Sequence, residues 1–360
     1  MNNKISLITK EILRSNYQLL QEWLLEHCEI ESRGDNTLIY HYSSIETCSK
    51  IIESDDLRLF DSKFCNDKNE YEEGKSYLNK FFLFKSMSFT KNDFLNFEDE
   101  YYKRYEYSQK EENTVWEKLT EEHNKYNSEW LSYISCFSYP KSRENPHLLD
   151  NDNLPMWRGY SPEGQGATLG LSRLELYNLI NKIPGLLILD VLYDEFQKEF
   201  FIKSLFRTAY DICISNNPDD NTYSSYMLGK HIEHHIGKVS KKEILEAFGL
   251  AFHCIPSFFK HEGFKEEAEV RLIYIPEIHK TVDKRVIFLG DGHNARPYIN
   301  LSSLIKKTSK PMLPIYEITF GPDVSDKAYH DQFVLSGGKE NCEKRKIQEK
   351  NSKIPYRSNI

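Results

Sequence analysis

The chain has 360 residues, of which 39% are hydrophobic, 13% aromatic and 28% charged, enough to bury the core of one elaborated domain or two modest ones. Its 47 Lys and Arg against 55 Asp and Glu leave a formal net charge of -8, which excludes a global attraction to nucleic acid and leaves only a local basic groove for such a partner. A mean hydropathy of -0.62, with no run of about 18 apolar residues, argues against a membrane protein.

The N-terminal segment lacks the apolar stretch and small-residue cleavage site of a secretory signal, so a cytoplasmic location is expected. Seven scattered cysteines, Cys28, Cys48, Cys65, Cys136, Cys213, Cys254 and Cys342, include no Cys-x-x-Cys pair. They read as reduced thiols rather than a zinc knuckle or a disulfide frame.

In chain order, the apolar spacing over 5–31 predicts a helical N-terminal extension, 1–35, closed by Gly34-Asp35-Asn36. Residues 38–42 then read as a strand. Ser43 with Glu46 three residues on predicts a capped helix whose apolar face is Ile45, Cys48, Ile51 and Ile52. Residues 57–60 form a second short strand and Asn66-Asp67-Lys68-Asn69-Glu70 a polar turn. The aromatic, charged stretch 73–130 suits a helical insertion.

Residues 134–138 suit a buried strand, followed by a polar loop that holds Trp157, Tyr160 and Gly164-Gln165-Gly166. Residues 167–171 are a strand, 172–183 a helix and 186–193 a strand. A second helical insertion spans 195–260, and strands follow at 269–274, 285–289 and 315–320, the last stopped by Gly321-Pro322. The order predicts an α+β fold, with 36–357 as a single domain.

Three places put polar side chains inside apolar strand contexts, the costly arrangement that sites require: His41, the loop from Trp157 to Gly166, and Glu269 with Arg271. Alternation sets Glu267, Glu269 and Arg271 on one side of the chain. Without further context His41 reads as well as a structural histidine, and the Glu and Arg row as a salt-bridged surface strand. His231 and His235, at i and i+4 in His231-Ile232-Glu233-His234-His235, have metal-chelating spacing but lack a third ligand, so no metal is expected. No phosphate-binding Gly loop and no nucleophile elbow is present.

Taken in order, the pieces 38–44, Ile51-Ile52-Glu53-Ser54, Leu57-Arg58-Leu59, Asn66-Asp67 with Glu70, Cys136-Phe137-Ser138, Met156-Trp157 through Tyr160 and Gly166, Lys260 with 267–272, and Gly321-Pro322 resemble an uncharacterised bacterial family. It is catalogued as domain of unknown function twenty-nine seventy-one. The resemblance covers roughly 36–357, and it departs from the family at Lys68-Asn69, where a Pro and an aromatic usually stand.

That family is similar to a remote branch of the ADP-ribosyltransferase superfamily. The resemblance implies a split core of short strands around an NAD cleft, with NAD as substrate. His41, with Tyr42 and Ser43 beside it, matches the first-strand position that holds the NAD ribose. Trp157 and Tyr160 are candidates for the aromatic that stacks on nicotinamide. Glu269 matches the late-strand carboxylate, and Glu267 completes a Glu-x-Glu pair. Arg271 and Lys260 either hold the pyrophosphate or pair with the glutamates.

The chemistry suits these residue types, because breaking the nicotinamide–ribose bond builds an oxocarbenium-like cation that a carboxylate stabilises. The resemblance thus implies an NAD-dependent ADP-ribosyltransferase or NAD glycohydrolase, a glycosyltransferase-class toxin or antiphage effector. Its acceptor would be a protein or nucleic acid, and the helical insertions are candidates for binding it or a regulatory protein partner. The alternatives are a non-catalytic nucleotide-binding or protein-interaction module of a defence system, and a metal-dependent nuclease built on Asp67, Glu70, His231 and His235.

Overall fold

The structure, a computed structural model, describes residues 2–27, 37–64, 74–76, 78, 117–122, 132–140, 152–161, 164–214, 236, 239–276, 285–290, 295–305 and 313–354. Most of 73–130, the Asn66 to Glu70 turn and the His231 to His235 cluster lie outside these residues. No helix among them is long and apolar enough to cross a membrane.

Helix α1 (Asn2–His27) is packed within the fold rather than extended from it. Ile8, Ile12, Leu13 and Leu20 are fully buried. Lys10 Nζ donates to the carbonyls of Ile180, Asn181 and Ile183 at 3.3, 2.6 and 3.1 Å, and burial lowers its pKa to about 8.

Strand β1 (Leu38–Ser44) runs two residues further than alternation predicts, because Ser43 and Ser44 still pair with Ala167 and Gly166. The cap of α2 (Ile45–Ser54) is therefore Ser44, whose side chain accepts from Thr47 N at 3.1 Å. Ser43 stays in the strand, and Glu46 pairs with Lys50 instead of closing a capping box.

β2 (Arg58–Asp61) and β3 (Tyr133–Ser138) follow. The predicted loop after β3 contains a helix, α3 (Leu154–Tyr160), started by Pro155 in its first turn. β4 (Gly166–Ser172), α4 (Arg173–Ile180) and β5 (Leu186–Asp190) come next. Helices α5 (Glu195–Ile214) and α6 (Lys241–Cys254) then pack on α1. Instead of forming an added surface layer they bury Phe201, Phe248 and Phe252 completely.

β6 (Glu269–Tyr274) and β9 (Ile315–Phe320) keep their predicted bounds, and β7 (Ile287–Leu289) is shorter than expected. The chain adds β8 (Arg296–Asn300), then α7 (Asp326–Tyr329), α8 (Gly338–Arg345) and β10 (Gln348–Asn351).

Among the described residues, ten strands form one mostly antiparallel sheet of this α+β fold, in the order β10-β9-β4-β1-β3-β2-β8-β7, with β6 on β3 and β5 on β6. Every pair of these strands is antiparallel except β10 with β9. β6 is buried on both faces. Ile273 points into the layer under α1, α5 and α6, while Val270 and Leu272 enter the layer under α2 and α4.

β3 is the branch point. One edge pairs along its whole length with β6. The other edge is shared, with β2 at Tyr133 and Ile134 and with β1 only at Ser138. Among the described residues, 135–137 have no strand partner on that edge, so the sheet opens between β1 and β2.

Candidate functional site

A cleft of about 920 Å³ occupies this opening, at the upper end of the range of about 300–1,000 Å³ usual for small-molecule sites. Its lining includes His41, Tyr42, Ser43, Tyr160, Lys260, Glu267, Glu269 and Arg271. Trp157 is absent from it. Its ring is fully buried against Tyr42 at 4.9 Å, and its Nε1–H is committed to Asp152 Oδ1 at 2.8 Å. A large aromatic next to Met156 here packs the third small core with Tyr40 and Tyr42. Of the two candidate aromatics, Tyr160 is the one at the cleft.

The split of the sheet leaves backbone groups of β3 in need of partners. His41 supplies one, with its Nδ1 2.8 Å from the Cys136 carbonyl. A carbonyl only accepts, so Nδ1 carries the proton. Burial lowers the pKa of the ring, and the bond to Cys136 only partly offsets that. The imidazole is therefore neutral near pH 7, and its Nε2 is an acceptor without a partner among the described residues.

On the other side of β3, register sets Ser138 opposite Glu269 and Cys136 opposite Arg271. Arg271 grips Glu269 with two prongs, Nε to Oε1 and Nη2 to Oε2, both at 2.8 Å. It also donates Nη1 to the Ser257 carbonyl at 2.7 Å. Lys260 Nζ bridges both acids, 2.7 Å from Glu267 Oε2 and 3.2 Å from Glu269 Oε2, and lies 4.9 Å from the Phe264 ring centroid. The Tyr160 hydroxyl donates to Glu267 Oε2 at 2.9 Å. The Tyr193 hydroxyl accepts from Glu269 N at 3.0 Å.

Lys260, Glu269 and Arg271 are each at most 3% exposed, and buried charges persist only when paired. Burial pushes the Glu269 carboxyl above its usual range, Lys260 and the Cys136 thiol pull it back, and Glu267 adds to the rise. The two-pronged grip needs both oxygens as acceptors, which is the carboxylate form, so two acids balance two cations. Burial alone would lower the Lys260 ammonium, but Glu269, Tyr160 and Glu267 together hold it above its ordinary value. Burial, followed by Glu269, raises the hydroxyls of Tyr160 and Tyr193.

Alternation is right to bring Glu267, Glu269 and Arg271 together but wrong about the path between them. Glu267 ends a 3-10 turn, Glu262–Glu267, and Ala268 is left-handed at φ 44 before β6 begins. Lys260 and Arg271 both pair with glutamates, one of the two roles expected of them.

The facing wall carries residues that sequence reasoning did not single out for the site: Arg58 and Phe60 of β2, and Arg296 and Asn300 of β8. Arg58 lies over the Tyr298 ring at 4.9 Å. Neither Arg58 nor Arg296 has a carboxylate partner among the described residues. Behind Ser43, Gly166 fits so tightly that a Cβ would lie 2.4 Å from the Ser43 carbonyl oxygen, and Gly164 is left-handed at φ 77, which accounts for both glycines without a phosphate.

Residues 156–272 match the model of a family described as a protein of unknown function, DUF2971. The matched stretch runs from α3 to β6 and carries Tyr160, Lys260, Glu267, Glu269 and Arg271, while His41 lies outside it. Neither the comparison with curated proteins nor that with solved structures returns a match.

Proposed function

We propose that the cleft binds NAD and cleaves its nicotinamide–ribose bond, as an ADP-ribosyltransferase or NAD glycohydrolase acting on a protein or nucleic-acid acceptor or on water. One observation carries this reading: the sheet opens between β1 and β2, and the neutral His41 and the Glu267–Glu269 pair both line that opening. In this reading the Nε2 lone pair of His41 accepts a ribose hydroxyl, and Tyr160 packs against the nicotinamide. The acid pair faces the ribose carbon as positive charge develops there, in a site of low dielectric where that contact strengthens. Arg58 and Arg296 on the facing wall suit the phosphates.

The test is nicotinamide release from NAD by the full chain, with and without cell lysate as a source of acceptor and activator. The control is a variant with both Glu267 and Glu269 changed to Gln. Release that vanishes in the variant supports the reading. NAD bound without release would assign the cleft to a non-catalytic nucleotide-binding module, and no NAD binding at all would remove the reading.

A further inference from the structure

We infer that Glu267, rather than Glu269, is the carboxylate that meets the substrate. The inference deepens the NAD-cleaving reading and rests on it. The two acids share one cluster but differ in what is left free on each. Glu269 takes the Arg271 Nε on Oε1, and the Arg271 Nη2 and Lys260 Nζ on Oε2. The Cys136 thiol is a fourth donor. A carboxylate has about four acceptor positions, so Glu269 is filled, and its side chain is 3% exposed.

Glu267 is 16% exposed and lines the cleft. Its Oε2 takes Lys260 and Tyr160, while Oε1 has no hydrogen-bond partner among the described residues. The backbone between the acids explains the difference. Ala268, at φ 44 and ψ 49, occupies the left-handed region that residues with a Cβ rarely adopt. The kink is held on both sides, by Tyr139 N donating to the Ala268 carbonyl at 2.9 Å and Ser138 Oγ donating to the Glu267 carbonyl at 2.6 Å. It carries Glu267 out of the strand row in which Glu269 and Arg271 alternate. Backbone strain of this kind persists where the surroundings enforce it, often at functional sites.

The free Oε1 thus serves as general base. A water molecule, or an acceptor hydroxyl, gives its proton to Oε1 as its oxygen bonds to the ribose C1′. The C1′–N bond breaks with its electron pair going to the ring nitrogen, so the pyridinium leaves as neutral nicotinamide. Glu267 then returns the proton to solvent. With water the products are ADP-ribose, nicotinamide and one proton. Glu269 anchors the two buried cations.

Two measurements test the assignment. In nicotinamide release per folded molecule, Glu267→Gln should fall by a hundredfold or more and Glu269→Gln by less than tenfold. A loss in Glu269→Gln equal to or larger than that in Glu267→Gln overturns the inference. Where Glu269→Gln does not fold, the double variant Glu269→Gln/Arg271→Met, which leaves no unpaired charge, takes its place under the same criterion.

The second measurement needs no turnover: modification of the wild-type protein with a water-soluble carbodiimide and an amine, mapped by peptide mass spectrometry. Label at Glu267 with Glu269 spared is expected. Label at Glu269 with Glu267 spared, or at both equally, overturns the assignment. A wild-type protein that releases no nicotinamide counts against the NAD reading, and the labelling still decides which carboxylate is presented.

Discussion

The two walls of the cleft hold charge in opposite ways. On the β3–β6 wall, Glu269, Lys260 and Arg271 are buried, mutually paired and tied to the backbone at the Ser257 carbonyl. On the β2–β8 wall, Arg58 and Arg296 are exposed, and the contact found for Arg58 is a stack on Tyr298. The first wall is preorganised, its dipoles and charges fixed before any ligand arrives. The second holds its cations at the exposed surface, an arrangement that suits electrostatic steering of an anion more than rigid positioning.

The largest effect that would sharpen this contrast is the loss of one buried charge. Arg271→Met leaves Glu269 deprived of its two-pronged partner, at a cost of about 3–5 kcal/mol, whereas Arg296→Met on the opposite wall should stay within about 0.5 kcal/mol. Urea unfolding of both variants makes the comparison, and equal losses would break it. The double variant Glu269→Gln/Arg271→Met should recover much of the loss, because no buried charge is then unpaired.

A pH series separates His41 from either wall. The folded His41 ring has a lowered pKa, so as pH falls through its ordinary value of about 6.5 the unfolded chain takes up a proton that the folded chain refuses. The stability His41 contributes is therefore present above that pH and lost on acidification. The difference between wild type and His41→Gln in denaturant midpoint, followed from pH 8 to pH 5, should shrink on acidification. A constant difference would show that the folded ring takes up its proton as readily as the unfolded one does. A small gain is expected at Ala268→Gly. Relief of the left-handed strain, about 1–2 kcal/mol, is offset by about 0.5–1 kcal/mol of added backbone entropy in the unfolded chain, for a net gain of about 1 kcal/mol or less by thermal melting.

The β3–β6 wall was largely legible in the sequence, and the β2–β8 wall was not. Glu269 and Arg271 stand at alternate positions between Val270 and Leu272, a pattern that sets both charges on one side of a strand, and Lys260 lies close upstream. β8 was missed because Pro297 weakens any strand reading and because its pairing with β2 spans about 240 residues of sequence. β10 was missed because Gln348-Glu349-Lys350-Asn351 has no apolar alternation. It is held as a polar edge by its backbone ladder to β9, with Lys350 reaching Glu317. Trp157 shows the limit in the other direction. Its residue type suits a stacking platform, but only the contact with Tyr42 and the bond to Asp152 reveal that it is core. Tyr193, which braces the Glu269 backbone, carries no sequence signal beyond its place near a strand end.

The burial of α1 has a consequence for how the protein is made. Thr9 hydrogen-bonds the carbonyl of Ala247, Ser6 that of Pro276, and Lys10 the end of α4, partners that lie 238, 270 and 170 or more residues downstream. At a synthesis rate of about 5–20 residues per second, α1 waits on the order of 10–50 s for the surfaces it will cover. Through that interval its Ile8, Ile12, Leu13 and Leu20 have no native shelter. A helix so dependent on later chain stays open to chaperones and to other nascent chains until that chain arrives.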